Sequence, residues 1–149
     1  MKTLKTFFLG MISVFALIMS ESAQAKDVII TKKELPKKAL AFMDVHFNGK
    51  TIQTVEKDTD FLAVSYKVTF ADRIEIEFDK EGEWDEVDGN KNPLPTTFIL
   101  EPIVTYIKTN YPDAQIVKID KETRLFEVKL NNGLELEFSK SGVFKRIDN

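Results

Sequence analysis

The chain has 149 residues, with 24 acidic and 21 basic side chains and a formal net charge of −3 at pH 7. This mildly acidic balance argues against a nucleic-acid partner and against adsorption to anionic lipid. The chain contains no cysteine, which excludes disulfides, thiol chemistry and thiolate metal sites, so stability has to come from burial alone.

Residues 1–25 are predicted to be a signal peptide. Lys2 and Lys5 form a short basic start, an apolar run follows over residues 7–19, and small residues lead up to Ala25. This is the pattern that a signal peptidase cleaves. The apolar run is shorter than the roughly 20 residues that a membrane-spanning helix needs. We expect cleavage after Ala25 and a periplasmic or secreted protein that has no membrane contact afterwards.

The first element predicted after this segment is a helix that starts at Pro36. Leu40, Met43 and Phe47 recur at helical spacing, so one face of the segment is apolar. A proline is well tolerated in the first turn, because its missing N–H would have no partner there. Gly49 is expected to follow the end of the helix.

Four antiparallel strands are predicted to follow this helix. Alternating apolar residues over 66–70 and 74–78 place those side chains on the face that packs against the helix. The register pairs Phe70 with Ile74 across a three-residue loop, in which Arg73 takes the left-handed position. The opposite face of the sheet is left to water or to a partner.

Trp84 follows the next turn, and its orientation depends on the geometry of that turn. A three-residue turn puts Trp84 on the helix side and Val87 outward, whereas a four-residue turn reverses both. A bulge between them would bury both, which we favour because Phe144 and Ile147 repeat the spacing. An exposed Trp84 would instead be the leading partner-contact residue, since aromatic anchors dominate interface energies.

The same pattern occurs a second time. Residues 66–88 align without a gap on residues 126–148, and the shared positions include turn glycines and terminal aspartates as well as apolar residues. Val68, Glu75, Glu77, Phe78, Lys80, Gly82 and Asp88 recur as Val128, Glu135, Glu137, Phe138, Lys140, Gly142 and Asp148. Such matches indicate a duplicated unit. We therefore divide the exported chain into repeat 1, residues 26–90, and repeat 2, residues 91–149.

The second repeat differs from the first in detail. Its helical segment is longer and is divided by Pro102, which predicts a short turn from Thr96 and then a helix. Its first hairpin loop has Gly133 in the left-handed position. The predicted register also sets Glu127 opposite Glu137, an unfavourable pair of like charges that hints at a basic partner or ion.

These motifs together resemble a known family. They are the Leu-Pro start of each helix, the Phe or Tyr that ends it, the Tyr-x-Val and Gly-x-Glu-x-x-Phe strands, and the Phe-Asp-Lys-x-Gly-x-Trp-x-x-Val-Asp hairpin. The chain closely resembles the beta-lactamase-inhibitor-like, PepSY-like family of exported bacterial proteins, mostly from Bacteroidetes. The resemblance implies an α+β fold in which two tandem helix-plus-four-stranded antiparallel repeats form one curved sheet with the helices on one face.

The resemblance also suggests where a partner would bind. True beta-lactamase inhibitor proteins are similar in fold and grip their enzyme with the open sheet face, which is aromatic and braced by disulfides. Here that face is charged, so only the location of the surface carries over. The predicted partner-binding residues are Lys67, Thr69, Glu75, Glu77, Trp84, Lys129, Glu135 and Glu137.

No catalytic residue, metal site or cofactor is predicted. The only histidine, His46, is expected at the surface or at the end of a helix, with no cysteine to serve as a nucleophile. The Asp-Lys-Glu-Gly run lacks the ligand spacing of a calcium loop. Carboxylate pairs lie on predicted exposed strands or turns, where nothing raises the pKa as glycoside hydrolysis requires.

Two functions remain open from the sequence. The first is a non-catalytic protein-binding module, an inhibitor or regulator of an exported enzyme, with an exported or envelope protein as its partner. The alternative is an envelope protein that binds a small ligand or a cation on the acidic open face of the sheet.

Overall fold

A computed structural model of the chain describes residues 27–60 and 63–148. The fold is α+β, with two α-helices and one nine-stranded antiparallel sheet that is not closed and whose strands lie side by side in chain order. The predicted signal peptide lies outside the described residues. Within the described ranges, no helix has the length and apolarity that crossing a membrane requires.

The elements have the following bounds. They are β1 (Val28–Ile29), a 3₁₀ turn (Lys32–Glu34), α1 (Lys37–His46), β2 (Ile52–Asp60), β3 (Ala63–Phe70), β4 (Glu75–Asp79), β5 (Trp84–Asp88), α2 (Glu101–Asn110), β6 (Ile116–Lys121), β7 (Leu125–Leu130), β8 (Glu135–Ser139) and β9 (Phe144–Asp148).

Both helices begin where the prolines predict. Helix α1 starts directly after Pro36 and buries Ala39 and Met43. Helix α2 carries Pro102 in its first turn and buries Ile103 and Ile107, and the short turn that starts at Thr96 precedes it. The residues at helical spacing therefore form the helical part of the core, as predicted.

The first hairpin has the predicted three-residue loop. The Phe70 N–H donates to the Ile74 carbonyl at 2.8 Å, and Arg73 adopts a φ of 68°. A non-glycine residue in this left-handed region carries a conformational cost. Gly133 takes the same role in the second half, with a φ of 90°.

The predicted bulge is present in β5. Phe78 lies opposite Trp84 and Glu77 opposite Glu86, so Asp85 is the extra residue. Val87 is fully buried and Trp84 is half-buried on the helix side, where its ring lies 5.4 Å from that of Phe98. Trp84 therefore does not share the open face with the other predicted binding residues.

Two pairings were not predicted from the sequence. The two-residue strand β1 pairs with β2, and β5 pairs with β6, with Val87 opposite Ile119. The second pairing joins the two halves into the single sheet that the family resemblance implies. Strand β2 is also longer than predicted and continues to Asp60.

One row of aliphatic side chains crosses seven neighbouring strands on the helix side. Its members face one another in register and are 0–4% exposed: Val55, Val68, Ile76, Val87, Ile119, Val128 and Leu136. Both helices cover this face, since Phe42 of α1 packs edge-on against Phe78 and Tyr106 of α2 against Phe138. In the part of the chain that the structure describes, the opposite face of the sheet carries no helix.

The turn between β4 and β5 is a point of close contact with α1. Gly82 has a φ of 83°, and a Cβ atom there would lie 2.7 Å from the Pro36 Cβ and 2.9 Å from the Ala39 backbone nitrogen. Gly49 has a similar φ of 80° but no atom within 4 Å of such a Cβ. A substitution at Gly49 would therefore introduce backbone strain alone, whereas one at Gly82 would introduce backbone strain and steric overlap.

We predict that Gly82→Ala destabilises the protein more than Gly49→Ala does. Both substitutions incur the left-handed strain of about 1–2 kcal/mol, and the overlap at Gly82 adds about 1–3 kcal/mol. Urea denaturation of both variants and the unmodified protein measures the difference. Equal losses would contradict the close approach of α1 to this turn.

Candidate functional site

The open face is the side of the sheet that faces away from both helices. Residues opposite each other on neighbouring antiparallel strands point to the same side, so the register defines two rows on this face. One row runs through Glu56, Lys67, Glu77, Glu86, Asp120, Glu127, Glu137 and Arg146. The other runs through Thr69, Glu75, Asp88, Lys118, Lys129, Glu135 and Asp148. Carboxylates outnumber cations in both halves.

Seven of the eight predicted binding residues lie on this face, and Trp84 is the exception. They are Lys67, Thr69, Glu75, Glu77, Lys129, Glu135 and Glu137. Of these, Glu137 is buried, at 6% exposure, and forms an ion pair with Arg146. The binding role of these residues stays a prediction.

Seven further charged residues of the face were missed from the sequence: Glu56, Glu86, Asp88, Lys118, Asp120, Arg146 and Asp148. The bulge at Asp85 shifts the alternation by one residue, and the pairing of β5 with β6 brings Asp88 beside Lys118. A usable signal was present, since Asp88 and Asp148 are aligned positions that are both aspartate.

Lys67 pairs with two carboxylates in the first half of the face. Lys67 Nζ lies 2.8 Å from Glu77 Oε1 and 4.0 Å from Glu75 Oε2. Its hydrogen bond with Glu77, followed by the nearby carboxylate charges, outweighs burial and raises the pKa of Lys67. The ammonium group is therefore a built-in cation at this position.

Lys118 has the same function at the junction of the two halves. Its Nζ lies 3.0 Å from Glu86 Oε1 and 3.6 Å from Asp120 Oδ2. Burial acts to lower the pKa of Lys118, but the hydrogen bond and charge of Glu86 outweigh it and raise that pKa. Burial in turn raises the pKa of Glu86.

Three carboxylates converge in the second half. Glu127 lies opposite Glu137, as predicted. Asp148 joins them from β9, and the three side chains each offer an oxygen within 4.8 Å of the others. We call Glu127, Glu137 and Asp148 the carboxylate cluster.

The cluster is only partly neutralised. Arg146 Nη2 donates to Glu137 Oε1 at 2.5 Å. Glu127 is exposed, and among the described residues no basic group forms an ion pair with it. Burial, followed by the charges of Glu122, Asp148, Glu137 and Glu135, raises the pKa of Glu127. The fold thus holds negative charges together against their repulsion.

The cluster lies in a shallow depression of about 130 Å³ that Lys118, Asp120, Lys129 and Glu135 also line. Water occupies about 30 Å³ per molecule in the liquid, so the depression has room for one ion with a few water molecules. The carboxylate cluster offers oxygen atoms to this depression, and carboxylate oxygens are the ligands that hard cations such as Ca²⁺ and Mg²⁺ prefer.

His46 lies away from this face, at the end of α1 as predicted. Its Nδ1 is 2.8 Å from Thr97 Oγ1, and its ring packs 4.8 Å from that of Phe42. Burial lowers the pKa of His46. In the described part of the chain no carboxylate pairs with this imidazole, and the contact links α1 to the turn before α2.

Comparisons with known proteins identify relatives over most of the chain. A family model described as "Putative beta-lactamase-inhibitor-like, PepSY-like" matches residues 64–146. A solved structure from Bacteroides thetaiotaomicron, described as a "putative calcium-regulated periplasmic protein", is 37% identical with a TM-score of 0.79 and covers 83% of this chain and 97% of its own. No curated protein matches the chain.

Two solved structures from Bacteroides vulgatus ATCC 8482 are similar to the same extent. Both are described as putative periplasmic proteins, one of them of unknown function. They are 35% and 34% identical, with TM-scores of 0.79 and 0.78, and each comparison covers 83% of this chain and 98% and 100% of the other. The descriptions of all three neighbours support a periplasmic location for this chain.

We predict that Glu127→Gln stabilises the protein at neutral pH. A carboxyl whose pKa is raised by folding weakens the folded state as pH rises from the unfolded pKa through the folded one, and glutamine removes this effect. The gain should be about 0.5 kcal/mol, the scale of a cross-strand charge pair. It should vanish below about pH 4, where unfolded glutamate is protonated too.

Glu135→Gln is the matched control, because it should have the opposite sign. The hydrogen bond from Lys129 lowers the pKa of Glu135, so this carboxylate stabilises the folded state above its unfolded pKa and loses that effect in acid. Urea denaturation across the pH range measures both variants. A loss of stability in Glu127→Gln at neutral pH would contradict the repulsion within the cluster.

Proposed function

This chain belongs to the beta-lactamase-inhibitor-like, PepSY-like family, and we propose that it is a non-catalytic periplasmic protein that binds a calcium ion on its open sheet face. The observation that carries the proposal is the convergence of Glu127, Glu137 and Asp148, whose oxygens lie within 4.8 Å of one another. The ligands come from three neighbouring strands instead of a loop, and for that reason no linear calcium motif is present.

The coordination chemistry favours calcium over magnesium. Ca²⁺ accepts six to eight oxygen ligands at irregular angles, whereas Mg²⁺ demands a compact octahedron. Three carboxylates supply three to six oxygens, and water in the depression completes the shell. An open site of this kind is expected to bind with a Kd of about 10⁻⁴ to 10⁻³ M, as extracellular calcium modules do.

The neighbour from Bacteroides thetaiotaomicron supports the choice of ion. Its description as calcium-regulated concerns that protein, and it is 37% identical to this chain over nearly its whole length. The carboxylate cluster of this chain is a feature that could bind calcium on the same fold.

The two halves of the face are proposed to differ in function. Lys67 occupies the position that aligns with Glu127 and places an ammonium group 2.8 Å from Glu77. The first half therefore carries its own cation, whereas the second half has a carboxylate in that place. We expect one calcium site in the described chain, in the second half.

We also propose that the exported chain arose by duplication and that its N-terminal segment directs export. The gapless alignment of residues 66–88 on 126–148 supports a duplicated unit, residues 26–90 and 91–149. The basic start, the short apolar run and Ala25 support a signal peptide of residues 1–25.

A second candidate function is protein binding through the same face, as an inhibitor or regulator of an exported enzyme. The family description as inhibitor-like and the width of the helix-free face favour it. The two functions are compatible, because an ion with an incomplete ligand shell can accept an oxygen from a partner.

We predict that millimolar calcium raises the melting temperature of the protein by a few degrees. Ligand at about ten times its Kd adds about 1.4 kcal/mol, which corresponds to about 2–6 °C for a chain of this size. Asp148→Asn should remove most of this increase, because it replaces a negatively charged carboxylate with a neutral amide whose carbonyl oxygen is a weaker ligand. Asp88→Asn, the aligned change in the first half, should leave it intact.

The response of the unmodified protein to calcium tests whether a cation binds at all. A melting temperature that calcium does not change, at constant ionic strength maintained with NaCl, would contradict cation binding. An equal loss of the increase in Asp148→Asn and Asp88→Asn would contradict the location of the site.

For the second candidate, reversing charge at Glu75, Glu77 and Glu135 to lysine should abolish capture of a partner from envelope extract. All three side chains reach the surface of the open face, so the change alters the electrostatic field and not the core. Capture that is unchanged by the triple substitution would exclude this face as the binding surface.

A further inference from the structure

Among the described strands, β9 lies at one end of the sheet and pairs only with β8. Four of its five residues are exposed, and Ile147 keeps 40% of its surface accessible. An uncovered strand presents unpaired N–H and C=O groups that can pair with another chain. Which groups point outward follows from the hydrogen bonds of β8.

The alternation of hydrogen-bonded pairs points the backbone of Ile147 away from β8. The Ser139 N–H donates to the Val143 carbonyl at 2.8 Å. Strand β9 has a bulge at Lys145, because Phe138 lies opposite Phe144 and Glu137 opposite Arg146. Counting on through this bulge makes Glu137 and Arg146 a bonded pair, and the next pair, Leu136 with Ile147, a non-bonded one. The N–H and C=O of Ile147 therefore face outward.

In the first half, the aligned strand β5 uses the corresponding edge to pair with β6. The Gly89 N–H donates to the Val117 carbonyl at 2.7 Å, which makes Val87 and Ile119 a bonded pair between β5 and β6. Ile147 aligns with Val87, but no described strand lies beside it.

We propose that two copies of this chain pair antiparallel through β9, centred on Ile147, and form one continuous sheet around a two-fold axis. This register places Arg146 of each copy opposite Asp148 of the other. Centring on Arg146 would oppose two guanidinium groups, and centring on Asp148 would oppose two carboxylates. Charge complementarity thus selects a single register, and it is also the register in which the outward groups of Ile147 bond to each other.

The charges on β9 favour pairing with a second copy over the alternative, which is that they prevent any strand from pairing at this edge. Guarded edges carry charges that repel every incoming strand. Arg146 and Asp148 are instead self-complementary around a two-fold axis, which is the commonest symmetry of soluble oligomers. The exposed Ile147 meets its own copy on the helix side. Because only one short strand is shared, the dimer is weak and depends on concentration.

The contact between the two Ile147 side chains lies on the helix side and away from the carboxylate cluster, but Asp148 belongs both to this pairing and to the cluster. The pairing has one consequence for the open face. Arg146 would lie between Glu137 of its own chain and Asp148 of the second copy. The two open faces would be continuous across the axis.

Sedimentation equilibrium in EDTA, over a wide range of protein concentration, tests the proposal. The unmodified protein should show a monomer–dimer equilibrium. Ile147→Lys and Ile147→Glu should each weaken it about tenfold or more, a change of 1.4 kcal/mol, because like charges meet at the axis. An equal mixture of the two variants should regain the dimer as a heterodimer.

Val143→Lys is the control, since Val143 is 61% exposed and lies outside the paired segment. It should leave the equilibrium unchanged, and far-ultraviolet circular dichroism of each variant verifies folding. A protein that stays monomeric at the highest concentration would overturn the proposal. A dimer that both Ile147 variants retain, or that the mixture fails to restore, would overturn it as well.

Discussion

The buried aliphatic row on the helix side is the constraint on which the rest of this structure depends. It runs from Val55 in β2 to Leu136 in β8. Because successive side chains of a strand point to opposite faces, burying this row places the neighbouring carboxylates on the open face. A slip of one residue would relieve the repulsion between Glu127 and Glu137, but it would expose the whole row. The core therefore holds the carboxylate cluster in place.

The burial free energy of the aliphatic row exceeds the repulsion within the carboxylate cluster. Burying one aliphatic side chain contributes about 1.5–3 kcal/mol, and the row contains several of them. A pair of like charges on opposing strands costs at most about 1 kcal/mol. The charges cannot displace the register, and only a counter-charge can lower their energy. In the first half Lys67 supplies that charge, whereas in the second half Arg146 contacts Glu137 and leaves Glu127 without a cation among the described residues.

Most of the fold follows from local patterns in the sequence. Pro36 and Pro102 fix the helix starts, alternation fixes the strands of each hairpin, and the repeated spacing of Trp84 and Val87 reveals the bulge. Glu127 opposite Glu137 was predictable because a short loop with one register joins their strands. The rest was not, since Asp148 reaches the cluster only through the bulge in β9, and Lys118 reaches Glu86 only through the pairing of β5 with β6.

Calcium binding by the carboxylate cluster can be followed residue by residue in a calcium titration monitored by nuclear magnetic resonance of the backbone amides. Saturable shifts are expected at Glu127, Glu137 and Asp148 and at their neighbours on β7, β8 and β9. Around Glu77, where Lys67 already supplies the cation, the amides should stay unchanged. Shifts of equal size in both halves, or the absence of saturable shifts, would contradict the account.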